Sequence, residues 1–197
     1  MKPARMMSPP GTYFVTFSTW HGRRLFVVES YAQLFLKTLY GYRRQHRFEL
    51  HAFVLMPEHV HLLFTPVGDV TLERAVQLIK GGYSHAVGGK AEIWQRGFTD
   101  HRIRDAEDFD AHRNYIHENP VKRALVEKVR KYRYSSAFPG FKLDGWPSAA
   151  KKVAEKLRIC ASVSSVTSVV CSAWPIRARL SAYSLPQMRT GCKAECV

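Results

Sequence analysis

His59 and His61 flank Val60 in an apolar run. Tyr115 follows His61 by 54 residues, and Asn119 lies four further on. Side chains at i and i+2 of a strand point to one face, so the two imidazoles can hold one divalent ion. Residues at i and i+4 share a helix face, so Tyr115 and Asn119 project together. Imidazole suits ions such as Mn²⁺ or Zn²⁺, and an amide oxygen from Asn119 suits a harder ion such as Mg²⁺. Residues 115–123 read YIHENPVKR, so Lys122 and Arg123 bring two cations within a turn or two of the tyrosine. A metal clamp, a hydroxyl and cations suit attack on a phosphodiester. The ion polarises a non-bridging oxygen as a Lewis acid, and the tyrosine displaces a 3′-hydroxyl to leave a 5′-phosphotyrosine. No general base is singled out: Glu58, His117 and Glu118 are the candidates, and 117 and 118 point off the Tyr115 face.

The charge supports a nucleic-acid substrate. Thirty Lys+Arg against 16 Asp+Glu give a net +14 in 197 residues, and such an excess implies a polyanionic partner. Residues 148–197 hold eight Lys+Arg and two Asp+Glu, so residues 1–147 keep a net +8. All four cysteines (Cys160, Cys171, Cys192, Cys196) fall in that last segment, at spacings that match no zinc ribbon or finger. The start of the chain lacks the apolar core of a signal peptide. No stretch reaches the roughly 18 apolar residues of a membrane span. A cytoplasmic protein with no membrane partner and no small-molecule cofactor is expected.

The elements that must position these residues can be read from periodicity. Residues 11–20 (GTYFVTFSTW) alternate as a strand, and 29–46 read as a helix. Residues 48–56 and 58–65 read as two strands joined by a Met-Pro-Glu turn, hence an antiparallel hairpin. On the second of these, Val60, Leu62 and Phe64 face one side, and His59, His61 and Leu63 the other. Thr71 is placed to cap a helix that runs to Val87, weakened by Gly81-Gly82. Residues 93–104 look extended. A helix is expected from 105 to 118, stopped by Pro120, with one more short helix over 121–128. The order β-α-β-β-α-β is ferredoxin-like. The expected fold is therefore α+β, an RRM-like antiparallel sheet with helices on one face, the other face left for the site, and extra C-terminal helices carrying the tyrosine. The expected organisation is a leader over 1–10, one domain over 11–147, and a poorly ordered basic tail over 148–197.

Candidate DNA contacts are Arg23 and Arg24 after the first strand, and Lys80 and Tyr83 around Gly81-Gly82, where a cation and a ring could bind phosphate and stack a base. Trp94, Phe98, His101, Arg102 and Arg104 form a second patch, and Lys122 and Arg123 complete the set.

Several motifs together resemble the single-strand tyrosine transposases of the HUH endonuclease class, above all the REP-associated tyrosine transposases. The carriers are Thr16-Phe17, Arg24-Leu25-Phe26, Met56-Pro57-Glu58-His59-Val60-His61-Leu62-Leu63, Lys80-Gly81-Gly82, Trp94-Gln95, Tyr115 to Lys122, and Tyr134-Ser135-Ser136. The resemblance covers roughly residues 11–140. It implies cleavage and rejoining of single-stranded DNA near hairpins or REP-like repeats, with Mg²⁺ or Mn²⁺ held by His59 and His61. It implies Tyr115 as nucleophile and places Asn119 where the third ligand comes from. It leaves a monomer, which is preferred, or a homodimer that exchanges tyrosine helices. Two positions depart from the family pattern: Glu58 stands where Asn is frequent, and Ala124 where Gly is common. Two rival readings remain. One is a non-catalytic nucleic-acid-binding module on the same fold, and the other is a phosphodiesterase in which metal-bound water attacks.

Overall fold

Strand β3 (His59–Pro66) shows how alternation builds the molecule. Val60, Leu62 and Phe64 enter one buried cluster and Leu63 another, on opposite sides of the sheet. β3 lies between β2 (Phe48–Leu55) and β1 (Tyr13–Ser18), and β1 pairs in turn with the short edge strand β4 (Thr99–Arg102). All three pairings are antiparallel, in the order β2-β3-β1-β4. That is the ferredoxin-like arrangement expected. The computed structural model describes residues 8–88 and 92–146. Most of the expected leader and the expected tail with its four cysteines lie outside the described residues.

Helices α1 (Glu29–Arg44) and α2 (Leu72–Val87) cover one face of the sheet. Phe35 and Leu39 of α1 meet Ile79 and Tyr83 of α2 over Val15, Phe17, Leu62 and Phe64, all buried. Thr71 caps α2 as its position suggests, its hydroxyl accepting from the Arg74 N–H at 3.2 Å. Gly81 and Gly82 do not break α2. A methyl on Gly82 would stand 2.7 Å from Cε2 of Tyr42, so the missing side chain lets α1 come close.

The opposite face is not left open. Helix α3 (Ala106–Lys122) packs there through Phe109 and Ile116 onto Ala52, Val54, Met56 and Leu63. A bulge at His51, between Leu50 and Ala52, resets the parity of β2. Leu50, Phe53 and Leu55 then serve one cluster while Ala52 and Val54 serve the other.

Pro120 does not stop α3. The helix continues through it to Lys122, because Ile116, Asn119 and Pro120 are all buried against the rest of the fold. Termination comes at Ala124, whose φ is 53°. The Ala124 N–H donates to the Val121 carbonyl and the Leu125 N–H to the Pro120 carbonyl, each at 2.9 Å. Those two bonds make a Schellman closure. The short helix expected over 121–128 is therefore absent: its first two residues finish α3, and 123–128 are a turn followed by irregular, bent chain.

Residues 132–146 close the free edge of β2. The Leu55 N–H donates to the Tyr134 carbonyl, and the Phe53 N–H donates to Ser136 Oγ. Asp144 takes both arms of Arg43 at 2.7 Å and the Leu50 N–H at 2.9 Å. The edge thus shows no open row of backbone donors to a foreign strand. Among the described residues no helix is long and apolar enough to cross a membrane.

Candidate metal and tyrosine site

β1 and β3 set the two histidines. Their register puts Thr16 opposite His61 and Ser18 opposite His59. His61 Nδ1 lies 2.7 Å from Thr16 Oγ1, and His59 Nδ1 lies 3.1 Å from Glu58 Oε1. With each Nδ1–H donating to that oxygen, both Nε2 lone pairs turn toward one point. The two Nε2 atoms are 3.1 Å apart, and the Asn119 amide nitrogen Nδ2 is 3.2 Å from that of His61. Two nitrogens each about 2.1 Å from one ion lie within about 4.2 Å of each other, so the pair fits a shared cation. Lone pairs at such a distance repel, and a cation between them turns the contact favourable.

Burial favours the neutral form of both rings. His59 and His61 are 7% and 5% exposed. Desolvation pushes His61 down to about 3, helped by neighbouring His59 and by Arg123. His59 is also lowered, chiefly by desolvation, although Glu58 pulls the other way. Neutral imidazole is the form that binds metal. Glu58 Oε1 also accepts from Arg123 Nη1 at 3.3 Å. The acidic departure at position 58 is thus tied to the far nitrogen of His59 and to a cation, the arrangement that carboxylates behind metal-binding histidines take.

α3 brings the tyrosine to this pair. The Tyr115 ring stands edge-on to His61, centroids 5.5 Å apart, and Phe14 packs against both rings at 5.8 and 5.4 Å. Tyr115 remains 43% exposed, open to a substrate. Lys122 Nζ is 5.7 Å from the Tyr115 ring centroid and 2.8 Å from Glu118 Oε2. Two of the three candidate bases are occupied away from the tyrosine: Glu118 on Lys122, and His117 on Ser136 Oγ at 3.0 Å.

The structure separates the expected DNA contacts. Arg23, Arg24, Arg102, Arg104, Lys122 and Arg123 are exposed. Tyr83 is not available to a base. It is fully buried among Phe26, Phe35 and Trp94, because it falls on the apolar face of α2 four residues after Ile79. Burial raises its phenol well above the ordinary value. Lys80 is half-buried, and its ammonium donates to the carbonyls of Gln95 and Gly97 at 2.8 and 2.9 Å. Desolvation lowers its pKa. It braces α2 against the segment before β4. Trp94 is half-buried against the core, its Nε1–H donating to the Lys80 carbonyl at 3.0 Å.

One cluster escaped the sequence reading. His101 on β4 and His112 on α3 both approach Asp108 at 2.9 Å. The i,i+4 spacing of Asp108 and His112 on a helix was the available signal. The sequence groups His101 with the aromatic and cationic patch instead.

Comparison with known proteins gives a consistent result. A family model described as "Transposase IS200 like" matches residues 12–119, a span that holds both histidines, Tyr115 and Asn119. The chain is similar to the REP-associated tyrosine transposase of Escherichia coli (strain K12). They are 35% identical over 127 residues, 64% of this chain and 76% of that protein. It is also similar to a solved structure of a REP-associated tyrosine transposase bound to a REP hairpin. That match has 29% identity and a TM-score of 0.60, and it covers 74% of this chain and 94% of the other.

Proposed function

The chain belongs to the IS200-like transposases, in their REP-associated tyrosine group, and from that premise we propose that Tyr115 cleaves and rejoins single-stranded DNA beside a hairpin. The phenolic oxygen of Tyr115 bonds to phosphorus as the bond to the 3′-oxygen breaks. The departing 3′-oxygen takes up a proton, and the 5′ end stays on the enzyme as a phosphotyrosine. A second strand's 3′-hydroxyl reverses the step, so rejoining needs no external energy source.

His59, His61 and Asn119 would hold Mg²⁺ or Mn²⁺. Bound there, the ion supplies Lewis-acid polarisation of a non-bridging phosphate oxygen. Thr16 and Glu58 hold the imidazoles with Nε2 toward that point. Lys122 and Arg123 offer positive charge to the phosphate from the end of α3. Arg23, Arg24, Arg102 and Arg104 offer it further along the strand, without reading sequence themselves. The related structure was solved with a REP hairpin, and hairpin-bearing single strands with REP-like repeats are the substrate class proposed here. α3 lies on its own sheet, so one chain supplies every group of the site, which supports a monomer.

The convergence of both Nε2 atoms and the Asn119 amide beside the Tyr115 ring carries this reading. Its test is incubation with single-stranded oligonucleotides from the DNA flanking the gene, with Mg²⁺ or Mn²⁺. The expected product is a covalent protein–DNA band on a denaturing gel that returns to free DNA after protease. Chelator, and His59→Ala with His61→Ala, should remove it. Cleavage that persists in Tyr115→Phe without a covalent band would instead identify metal-bound water as the nucleophile.

A further inference from the structure

We propose that His101, Asp108 and His112 form a second divalent-metal site, of the Zn²⁺ class, that fastens the tyrosine helix to the edge strand β4. His101 Nε2 lies 2.9 Å from Asp108 Oδ2, and His112 Nδ1 lies 2.9 Å from Asp108 Oδ1. The three ligand atoms all fall within 4.8 Å of one another. The imidazoles stack nearly parallel, centroids 4.6 Å apart at 16°. Two imidazoles and one carboxylate make the ligand set that zinc and cobalt accept, with a fourth position open to water. The side chains are 34%, 17% and 24% exposed in chain order, so an ion can enter from solvent. It would replace the bond from His112 Nδ1–H to the Asp108 carbonyl, now 2.8 Å.

The location indicates a positioning role. Asp108, His112, Tyr115 and Asn119 fall at i, i+4, i+7 and i+11, so they share one face of α3. Phe14 lies between the two histidine clusters, its centroid 4.9 Å from His112 and 5.4 Å from His61. Seven residues of helix separate His112 from Asn119, about 10 Å along the axis. Paired catalytic ions sit about 4 Å apart, so the second ion cannot share a phosphate with the first. It holds the start of α3 against a strand of only four residues, and so fixes the approach of Tyr115 two turns later.

The test reads metal uptake and does not depend on transposase activity. The full-length chain carrying His59→Ala and His61→Ala is stripped with chelator, dialysed and titrated with Co²⁺. One equivalent should bind with visible d–d absorption. Adding His101→Gln and His112→Gln should abolish that equivalent. At free metal 100 times Kd, binding should shift the folding equilibrium of the first variant about 100-fold, raising its Tm, and leave the second unmoved. Equal uptake by the two variants would overturn the site, as would uptake dominated by thiolate charge transfer, which assigns the ion to the cysteines after residue 159. A metal-free Tm that falls with the two glutamines, while metal moves neither variant, would reduce the cluster to a hydrogen-bonded staple and also overturn the proposal.

Discussion

The two faces of the sheet are built from alternate residues of the same strands, yet they do opposite work. On one face Val60, Leu62 and Phe64 join α1 and α2 in an aromatic and aliphatic cluster that includes Phe17, Phe26, Phe35 and Tyr83. On the other, His59 and His61 occupy the intervening positions, and α3 closes over them with a much smaller apolar contact. Burial on the first face contributes stability directly. On the second it strips water from imidazoles, which costs stability and favours their neutral form. A single strand thus carries both functions, one per parity.

Substitutions should separate the faces. Tyr115→Phe removes one oxygen from a ring that is 43% exposed. Covalent-adduct formation should fall by about a thousandfold or more, while hairpin binding stays within about a few-fold and Tm hardly moves. Gel assays and thermal melts on the same preparation decide it, and a large drop in Tm would show that Tyr115 also serves packing. Phe35→Ala is the mirror case. It opens a cavity among Phe17, Phe26, Tyr83 and Trp94 and should cost about 3–5 kcal/mol in denaturant unfolding. The fraction that stays folded should still form the adduct. An inactive but folded Phe35→Ala protein would show that the faces are coupled.

The faces also differ in how far the sequence discloses them. The hairpin, the parity of β3 and the cap at Thr71 follow from local alternation and side-chain chemistry, and the structure has them. Tyr115 and Asn119 share a helix face because spacing alone requires it. What failed needed tertiary knowledge. Pro120 reads as a stop, but burial of Ile116 and Asn119 carries the helix past it. Tyr83 looks like a nucleic-acid contact until the α1–α2 packing puts its ring in the core, and Lys80 is drawn to two carbonyls of the segment before β4. The bulge at His51 and the closure of the β2 edge by residues 132–146 have no local signal, and the cluster of His101, Asp108 and His112 leaves only the i,i+4 spacing of its helical pair.

Acid should strain the site face selectively. His61 is held at about 3 in the fold by burial, beside His59 and Arg123, against about 6.5 in the unfolded chain. Between those values the unfolded chain binds more protons, so stability falls as pH drops from about 6.5 toward about 3. The slope should be measured in chelator, so that metal release does not add to it. His61→Leu should flatten that limb of the profile, and an unchanged slope would mean that other groups set the acid sensitivity. Phe35→Ala should lower the whole profile without changing its slope, which keeps the two faces distinct.

The smallest effect sharpens the comparison at the end of α3. Ala124 takes a left-handed conformation, φ 53°, to close the helix. A residue with a Cβ is strained there by roughly 1–2 kcal/mol relative to glycine. Glycine gives back part of that through the greater freedom of its unfolded chain, about 0.4–1 kcal/mol. Ala124 is exposed, so its methyl has little packing to lose. Ala124→Gly should therefore raise stability by about 0.5–1 kcal/mol, read as a small increase in the denaturant midpoint with an unchanged slope. The change lies outside the pairing of His59, His61 and Asn119, so adduct formation should stay within about twofold. Lost activity in a more stable Ala124→Gly protein would mean that strain at this turn sets Lys122 and Arg123 for the phosphate. The helix end would then belong to the site and not only to the fold.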